Sequence, residues 1–312
     1  MRVKQLKTDA EILAWYNKLK LYDASQISAK DMALPESQWF TYESDTDSGV
    51  DTRGKVIERK TERYFSSREV SLLNKDAGAR RLDLPQLDGG DPRPFEVVGI
   101  SIGAPGYHVI EIESARLGQS LLDKRAPMYV RTGVLVTYLG VHFKLGRENS
   151  VVWVTSLDRG KPAEGAEFAV NDCTGKKLWS GKTDANGLAK VAQAIDADFD
   201  NCPNEHGLFV TARKVDNRAD AQGVVDTAFV FSGRQKGIES WRFNLPTGRG
   251  AEPDVRAATV FDRTLLRADE TVSMKHFVRF ETLSGLANAK PDDLPTWMKI
   301  IHQGRDRNSC SR

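Results

Sequence analysis

The chain has 312 residues, and 45 Lys and Arg against 43 Asp and Glu leave a formal charge of +2, a balance that supplies no basic footprint for nucleic acid. Hydrophobic residues make up 40%, with six Trp and thirteen Phe to fill cores, yet no run reaches the roughly 18 apolar residues of a membrane-spanning helix. At about 100 residues per module, this length predicts two modules and part of a third. The opening stretch Met1 to Lys7 is charged with no apolar segment behind it. It is therefore not a secretory signal, so the protein is either cytoplasmic or exported by a signal outside this piece. Cys173, Cys202 and Cys310 are an odd number without C-x-x-C spacing, which argues against zinc and against a disulfide-dense scaffold.

Residues 8–22 predict one amphipathic helix. Thr8 and Glu11 form a capping box, and Ile12, Trp15, Tyr16 and Leu19 recur with helical period. Two short extended segments follow, Ser37 to Tyr42 and Val56 to Tyr64, with a polar loop at Glu43 to Gly54 between them. Phe95 to Ile100 and Tyr107 to Glu113 predict a hairpin turning through Pro105-Gly106. Within its second strand, His108, Ile110 and Ile112 oppose Tyr107, Val109 and Glu111.

Further strands are expected at Tyr129 to Thr132, Val134 to Phe143 and Val151 to Leu157, and Trp153 is expected inside, with Val152 and Val154 on the opposite face. Asp158 to Pro162 is a turn, Ala166 to Val170 and Leu178 to Ser180 are strands, and Thr183 to Gly187 is a tight loop entering Leu188 to Val191. Strands at Leu208 to Lys214 and Thr227 to Phe231 complete a series with turn signals every 8 to 12 residues, the spacing of a sandwich and not of βαβ units. Gly248 to Pro253 reads as a linker; Ala257 to Phe261 and Val272 to Phe280 then read as two strands joined by Asp262 to Thr271. About twenty residues remain after Pro291, too few for another sandwich, so the third module is expected to be incomplete and the chain a fragment. The fold class is all-β, in consecutive antiparallel sandwiches with a short N-terminal helix. The modules are 1–128, 129–250 and 251–312.

A search for catalysis returns nothing. His108, His142, His206, His276 and His302 share no metal-ligand spacing, and no nucleophile elbow or phosphate loop occurs. Asp269 and Glu270 are neighbours, but adjacent residues of a strand point to opposite sides and make a poor acid–base pair. No catalytic residue, metal site or cofactor is expected.

Asp262-Arg263-Thr264-Leu265-Leu266-Arg267-Ala268-Asp269-Glu270-Thr271-Val272 resembles the opening of a macroglobulin (MG) domain, D-R-x-L-Y-R-P-G-E-T-V, and departs from it at Ala268 and Asp269, where that family has Pro-Gly. Met128 to Thr132, Val152 to Thr155 and Gly181 to Gly187 resemble the MG domain that precedes this opening in bacterial α2-macroglobulins. The resemblance spans roughly residues 95 to 300. It implies a periplasmic protease trap, often lipid-anchored, that offers a bait loop and captures the protease through a thioester in a Cys-x-Glu-Gln motif. Cys173, Cys202 and Cys310 all lack that motif, so the expected role is scaffold.

Expected partners are the other MG modules, and target proteases through the intact trap, with neither nucleic acid nor membrane touching this segment. In the oxidising setting that the resemblance implies, Cys173 and Cys202 are expected to form a disulfide, because both lie in turn-rich segments that can meet at one end of a sandwich, while Cys310 stays free. Two rival readings are Ig-like modules of a bacterial adhesin and spacer modules of a larger enzyme.

Overall fold

A computed structural model describes residues 1–43, 59–84, 97–122, 125–146, 149–195, 202, 207–215, 223–233, 242, 255–265, 267, 269–282, 285–294, 297–301 and 308–311. They fall into two compact units, Met1–Lys236 and Gly237–Arg312.

The first unit runs β1 (Arg2–Leu6), α1 (Asp9–Leu21), β2 (Gln26–Ser28), β3 (Phe40–Glu43), β4 (Arg59–Glu62), β5 (Tyr64–Ser66), β6 (Arg80–Arg81), β7 (Gly106–Ser114), α2 (Ala115–Leu121) and β8 (Met128–Val136). It continues with β9 (Leu139–Lys144), β10 (Ser150–Ser156), β11 (Lys161–Pro162), β12 (Glu167–Asn171), β13 (Lys177–Lys182), β14 (Leu188–Val191), β15 (Phe209–Val215) and β16 (Val225–Phe231). The capping box at Thr8 and Glu11 is in place and starts α1, whose Ile12, Leu13, Tyr16 and Leu19 are buried.

The N-terminal sheet has the order β6-β1-β7-β8. Here the structure corrects two expectations. Residues 97–100 are not strand, and β7 pairs antiparallel with β1 and β8 instead of forming a hairpin through Pro105-Gly106. The charged opening of the chain is itself β1, with Val3 and Leu6 buried. The strand beginning at Met128, expected to open the central sandwich, pairs along its whole length with β7, from Ser114↔Met128 to Gly106↔Val136. Gly133 makes room in this sheet: a Cβ there would lie 1.9 Å from the Tyr107 hydroxyl.

The sandwich begins at β9. One sheet has β10 between β9 on one side and β14 with β11 on the other, and the second has the order β13-β12-β15-β16. The chain changes sheet between β11 and β12, between β13 and β14, and between β14 and β15. The corner at Asp184–Gly187 is closed by the Asp184 carboxylate, which accepts from the amides of Asn186 and Leu188 at 2.9 and 2.8 Å. Gly187 is needed there: it sits at φ 69°, and a Cβ would meet the Val154 carbonyl at 2.4 Å.

The core between the sheets takes Leu139, Val152, Val154 and Val191 from one side and Phe168, Val170, Leu208, Val210 and Ala212 from the other. Val152 and Val154 are fully buried whereas Trp153 is 42% exposed, which reverses the face expected for Trp153. Valines from both sheets, with Leu139, Phe168 and Leu208, fill the space between the sheets, and the indole lies outside against the His142 ring, 5.1 Å away.

The second unit holds β17 (Val255–Phe261), β18 (Met274–Thr282), β19 (Gly285–Asn288), β20 (Met298–Ile301) and β21 (Asn308–Ser311). β17, β18 and β19 form one antiparallel sheet, and β20 pairs with β21. The two strands read on either side of Asp262 to Thr271 are β17 and β18. Apart from Glu43, which ends β3, the expected loop at Glu43 to Gly54 lies outside the described residues, as does the linker at Gly248 to Pro253.

Candidate functional site: the seam between helix and sandwich

The residues with the densest cross-element chemistry lie where α1 and the N-terminal sheet meet the outer face of the sandwich. β15 makes this possible by serving two cores. Leu208, just before it, and its Val210 and Ala212 face the sandwich interior, while Phe209 joins Phe231 of β16 in a second core with Leu6, Ile12, Leu13, Tyr16, Tyr107 and Val109. The rings interlock: Tyr16 lies 4.7 Å from Phe231, Phe209 5.1 Å from Phe231, and Tyr107 5.3 Å from Phe229 edge-on.

A polar ladder flanks the rings. The Asp9 carboxylate, in the first turn of α1, accepts from the Thr211 hydroxyl at 2.9 Å and lies 2.6 Å from the Arg213 guanidinium. Arg213 also donates to the Lys7 carbonyl at 3.1 Å, and the Asn171 amide reaches Asp9 at 3.5 Å while donating to the Phe209 carbonyl at 3.2 Å. A carboxylate at a helix N-terminus is favoured by the exposed backbone N–H groups. Asp9 therefore stabilises α1 and ties it to three residues of the sandwich. The sequence reading passed over this ladder, because its members lie some 160 to 200 positions apart and none belongs to a motif.

At one end of the seam the Asp172–Gly175 turn presents Gly175 to helix α1, so that a Cβ there would lie 3.6 Å from Leu13. Partial burial raises the Asp172 pKa, but hydrogen bonds from the Thr174 side chain and from the Lys176, Thr174 and Gly175 backbone outweigh it and hold the carboxyl below its ordinary value. Cys173 in this turn is bonded to Cys202, with 29 residues of separation and Cα atoms 5.4 Å apart. Cys310 lies in β21 with its backbone opposite Lys299, not in an unpaired tail.

A second buried cluster locks the N-terminal sheet. Glu111, wholly buried, accepts from the Ser71 hydroxyl at 2.5 Å and from the Leu72 and Leu73 amides at 2.6 and 3.3 Å. Its cross-strand neighbour Arg131 lies 3.8 Å away and donates to the carbonyls of Ser67 and Val70 at 2.8 and 2.5 Å. The pair fixes the 67–73 segment, since a buried charge needs both a partner and hydrogen bonds. One signal in the sequence could have found it: Glu111 shares a face with the apolar Tyr107 and Val109.

Other candidates resolve into structure. His142 and His276 sit on strands, His276 Nδ1 within 2.8 Å of the Thr259 hydroxyl. His108 is buried, and His206 and His302 lie outside the described residues. Among the described residues no three His, Cys, Asp or Glu side chains gather as a metal site. A cleft of about 250 Å³ at one end of the sandwich is lined by Tyr138, Lys161, Lys214 and Asp226 among others. The Asp226 carboxylate is engaged by the Thr137 hydroxyl and the Tyr138 amide at 2.7 and 2.8 Å, which holds the turn between β8 and β9.

Two antiparallel sheets enclosing an aliphatic core, with the chain changing sheet at tight turns, place the central region in the class of β-sandwich modules. The family model of the bacterial alpha-2-macroglobulin MG3 domain matches residues 136–250, the stretch that forms this sandwich. Two solved structures are similar to the chain. One is native alpha-2-macroglobulin from Escherichia coli spanning domains NIE-MG1, with TM-score 0.28 and 16% identity over 40% of this chain and 49% of that one. The other is the same protein spanning MG0-NIE-MG1, with TM-score 0.26 and 18% identity over 40% and 33%. The match thus spans half or less of either solved chain. No curated protein matches the sequence.

Proposed function

We propose that this chain is a structural segment of a bacterial α2-macroglobulin-like protease trap: a run of MG modules that positions bait and capture elements carried elsewhere, with no enzymatic role of its own. The observation that carries this reading is the coincidence of the MG3 family match at 136–250 with the sandwich of β9 to β16. The seam supports it, because ring packing and the Asp9 ladder join helix, N-terminal sheet and sandwich into one unit suited to bearing load between modules. The disulfide fits an oxidising, periplasmic setting. Other MG modules are the direct partners, and proteases meet the segment through the intact trap.

The test uses the full gene product, incubated with proteases of differing specificity and assayed with both a protein substrate and a small peptide substrate. A trap blocks cleavage of the protein and spares that of the peptide. Equal cleavage of both, with and without the product, would overturn the reading.

A further inference from the structure

Beside the seam, three side chains from three adjacent strands converge on one short segment. Arg80 of β6 donates to the Ile102 carbonyl at 2.6 Å, Gln5 of β1 to the Pro105 carbonyl at 2.8 Å, and His108 Nε2 lies 2.9 Å from the Ala104 carbonyl. Residues 101–105 are not strand; they run across the sheet immediately before β7, with Gly103 and Gly106 at φ 93° and 130° where the chain bends. They form a strap held by its carbonyls.

We propose that this strap is an acid-sensitive latch, held down while His108 is neutral and let go when the imidazole takes up a proton. A carbonyl can only accept, so Nε2 carries the ring hydrogen and Nδ1 carries the lone pair. Nδ1 is buried with no hydrogen-bond partner among the described residues, and the residue is 2% exposed. A proton on Nδ1 would add a buried charge and an N–H with no acceptor.

The surroundings offer no relief. Among the described residues, the charged group acting on the ring is the Arg80 cation; β1 and β8 present Gln5 and Val134 at the facing positions, and residues 101–106 carry no charge. Burial, first, and then Arg80 hold the His108 pKa below its ordinary value, against the hydrogen bond to Ala104 that raises it. The sign follows from linkage. Above the ordinary histidine value, both closed and open states are neutral and the latch holds. As pH falls below it, the open state binds the proton first and the closed state loses population. The strap sits over the start of β7, so opening bares the buried His108 face of that strand.

A nitroxide on Ser101→Cys, in a Cys310→Ser background that leaves the Cys173–Cys202 bond intact, reports strap mobility by its spectral line shape. The label is expected to be immobilised at pH 8 and to gain a mobile component on acidification to pH 5. The far-ultraviolet circular dichroism should stay constant over that range. His108→Gln keeps an amide donor for Ala104 without a titrating ring and is expected to remain immobile throughout. The His108 ring resonances of the unlabelled native chain, followed by NMR, should titrate over the range in which the label loosens; this readout does not depend on the glutamine variant folding. An immobile label in the native background at pH 5 overturns the latch, as does the same transition in His108→Gln.

Discussion

β15 pairs with β16 over seven residues, and β17 pairs with β18 over seven, yet the two hairpins differ in what covers them. β15 is buried on both faces from Phe209 to Ala212, whereas Val260 and Phe261 of β17 are more than half exposed and the buried core of the described residues ends at Phe231. Pairing is settled between neighbouring strands by hydrogen bonds and β propensity. Burial needs a second layer, and for β15 that layer comes from helix α1, some 200 positions away in sequence. Phe209→Ala is therefore expected to cost about 3–5 kcal/mol, because it opens a cavity in the ring cluster. Val260→Ala should shift stability by less than about 0.5 kcal/mol. Urea midpoints of the two variants measure the contrast, and equal shifts would abolish it.

The disulfide sharpens the same comparison, since it closes a loop within the sandwich. Replacing both Cys173 and Cys202 by Ser is expected to cost about 3 kcal/mol through the freed loop of the unfolded chain. The loss should appear in the transition that reports β12 and β15, with β17 and β18 unchanged. Amide exchange resolved by segment checks this, and uniform loosening would show that the two hairpins share one cooperative transition.

Most strand positions of the sandwich and the start of α1 were legible because local signals set them: the Thr8–Glu11 box, the β-rich run at Leu208 to Lys214, and turn residues at Asp158 to Gly160 and Asp184 to Gly187. The choice of face was less legible. Val152-Trp153-Val154 alternates equally well with either face inward, and the expectation of Trp153 inside failed: the two valines point into the core and the indole lies outside. The hairpin expected through Pro105-Gly106 failed for a related reason. The partners of β7 are β8 and β1, the latter a short strand at the charged start of the chain, and nothing local to β7 or β1 announces the other. The Asp9 ladder and the Glu111–Arg131 pair were hidden by the same distance in sequence.

A smaller effect is expected at the ladder. Asp9→Asn keeps the hydrogen-bond acceptor for Thr211 but removes the charge facing Arg213, and should cost about 1–2 kcal/mol. In a double-mutant cycle with Arg213→Met, the coupling energy should be positive and should fall with added salt, because both side chains are partly exposed. The nearby Asp172 and Glu11 are held below their ordinary pKa, Glu11 by the backbone amides of Thr8 and Lys7 above all. Their contribution is complete above the ordinary carboxylate value and is lost as pH falls through the lowered one. Stability of the first unit should therefore decline on acidification below about pH 4, and Glu11→Gln should flatten that decline.

The smallest effect has the opposite sign. In the stretch that resembles an MG-domain opening, Asp269 occupies the position where that family has Gly, and it sits at φ 66°. The turn around it is closed by the Glu270 amide donating to the Arg267 carbonyl at 3.2 Å, and by the Arg267 amide donating to the Glu270 carboxylate at 3.0 Å. The left-handed conformation costs an ordinary L-residue about 1–2 kcal/mol, and less for Asp, whose short polar side chain tolerates it. Asp269→Gly removes that cost but adds unfolded-state freedom worth about 0.4–1 kcal/mol. The balance is a gain of a few tenths of a kcal/mol, confined to the turn joining β17 and β18. Amides of those two strands should exchange about twofold more slowly in the glycine variant, with β12 and β15 unaffected. Asp269→Val, with a β-branched side chain at the same φ, should speed exchange in the same strands, and faster exchange with glycine would show that the Asp side chain itself holds the turn.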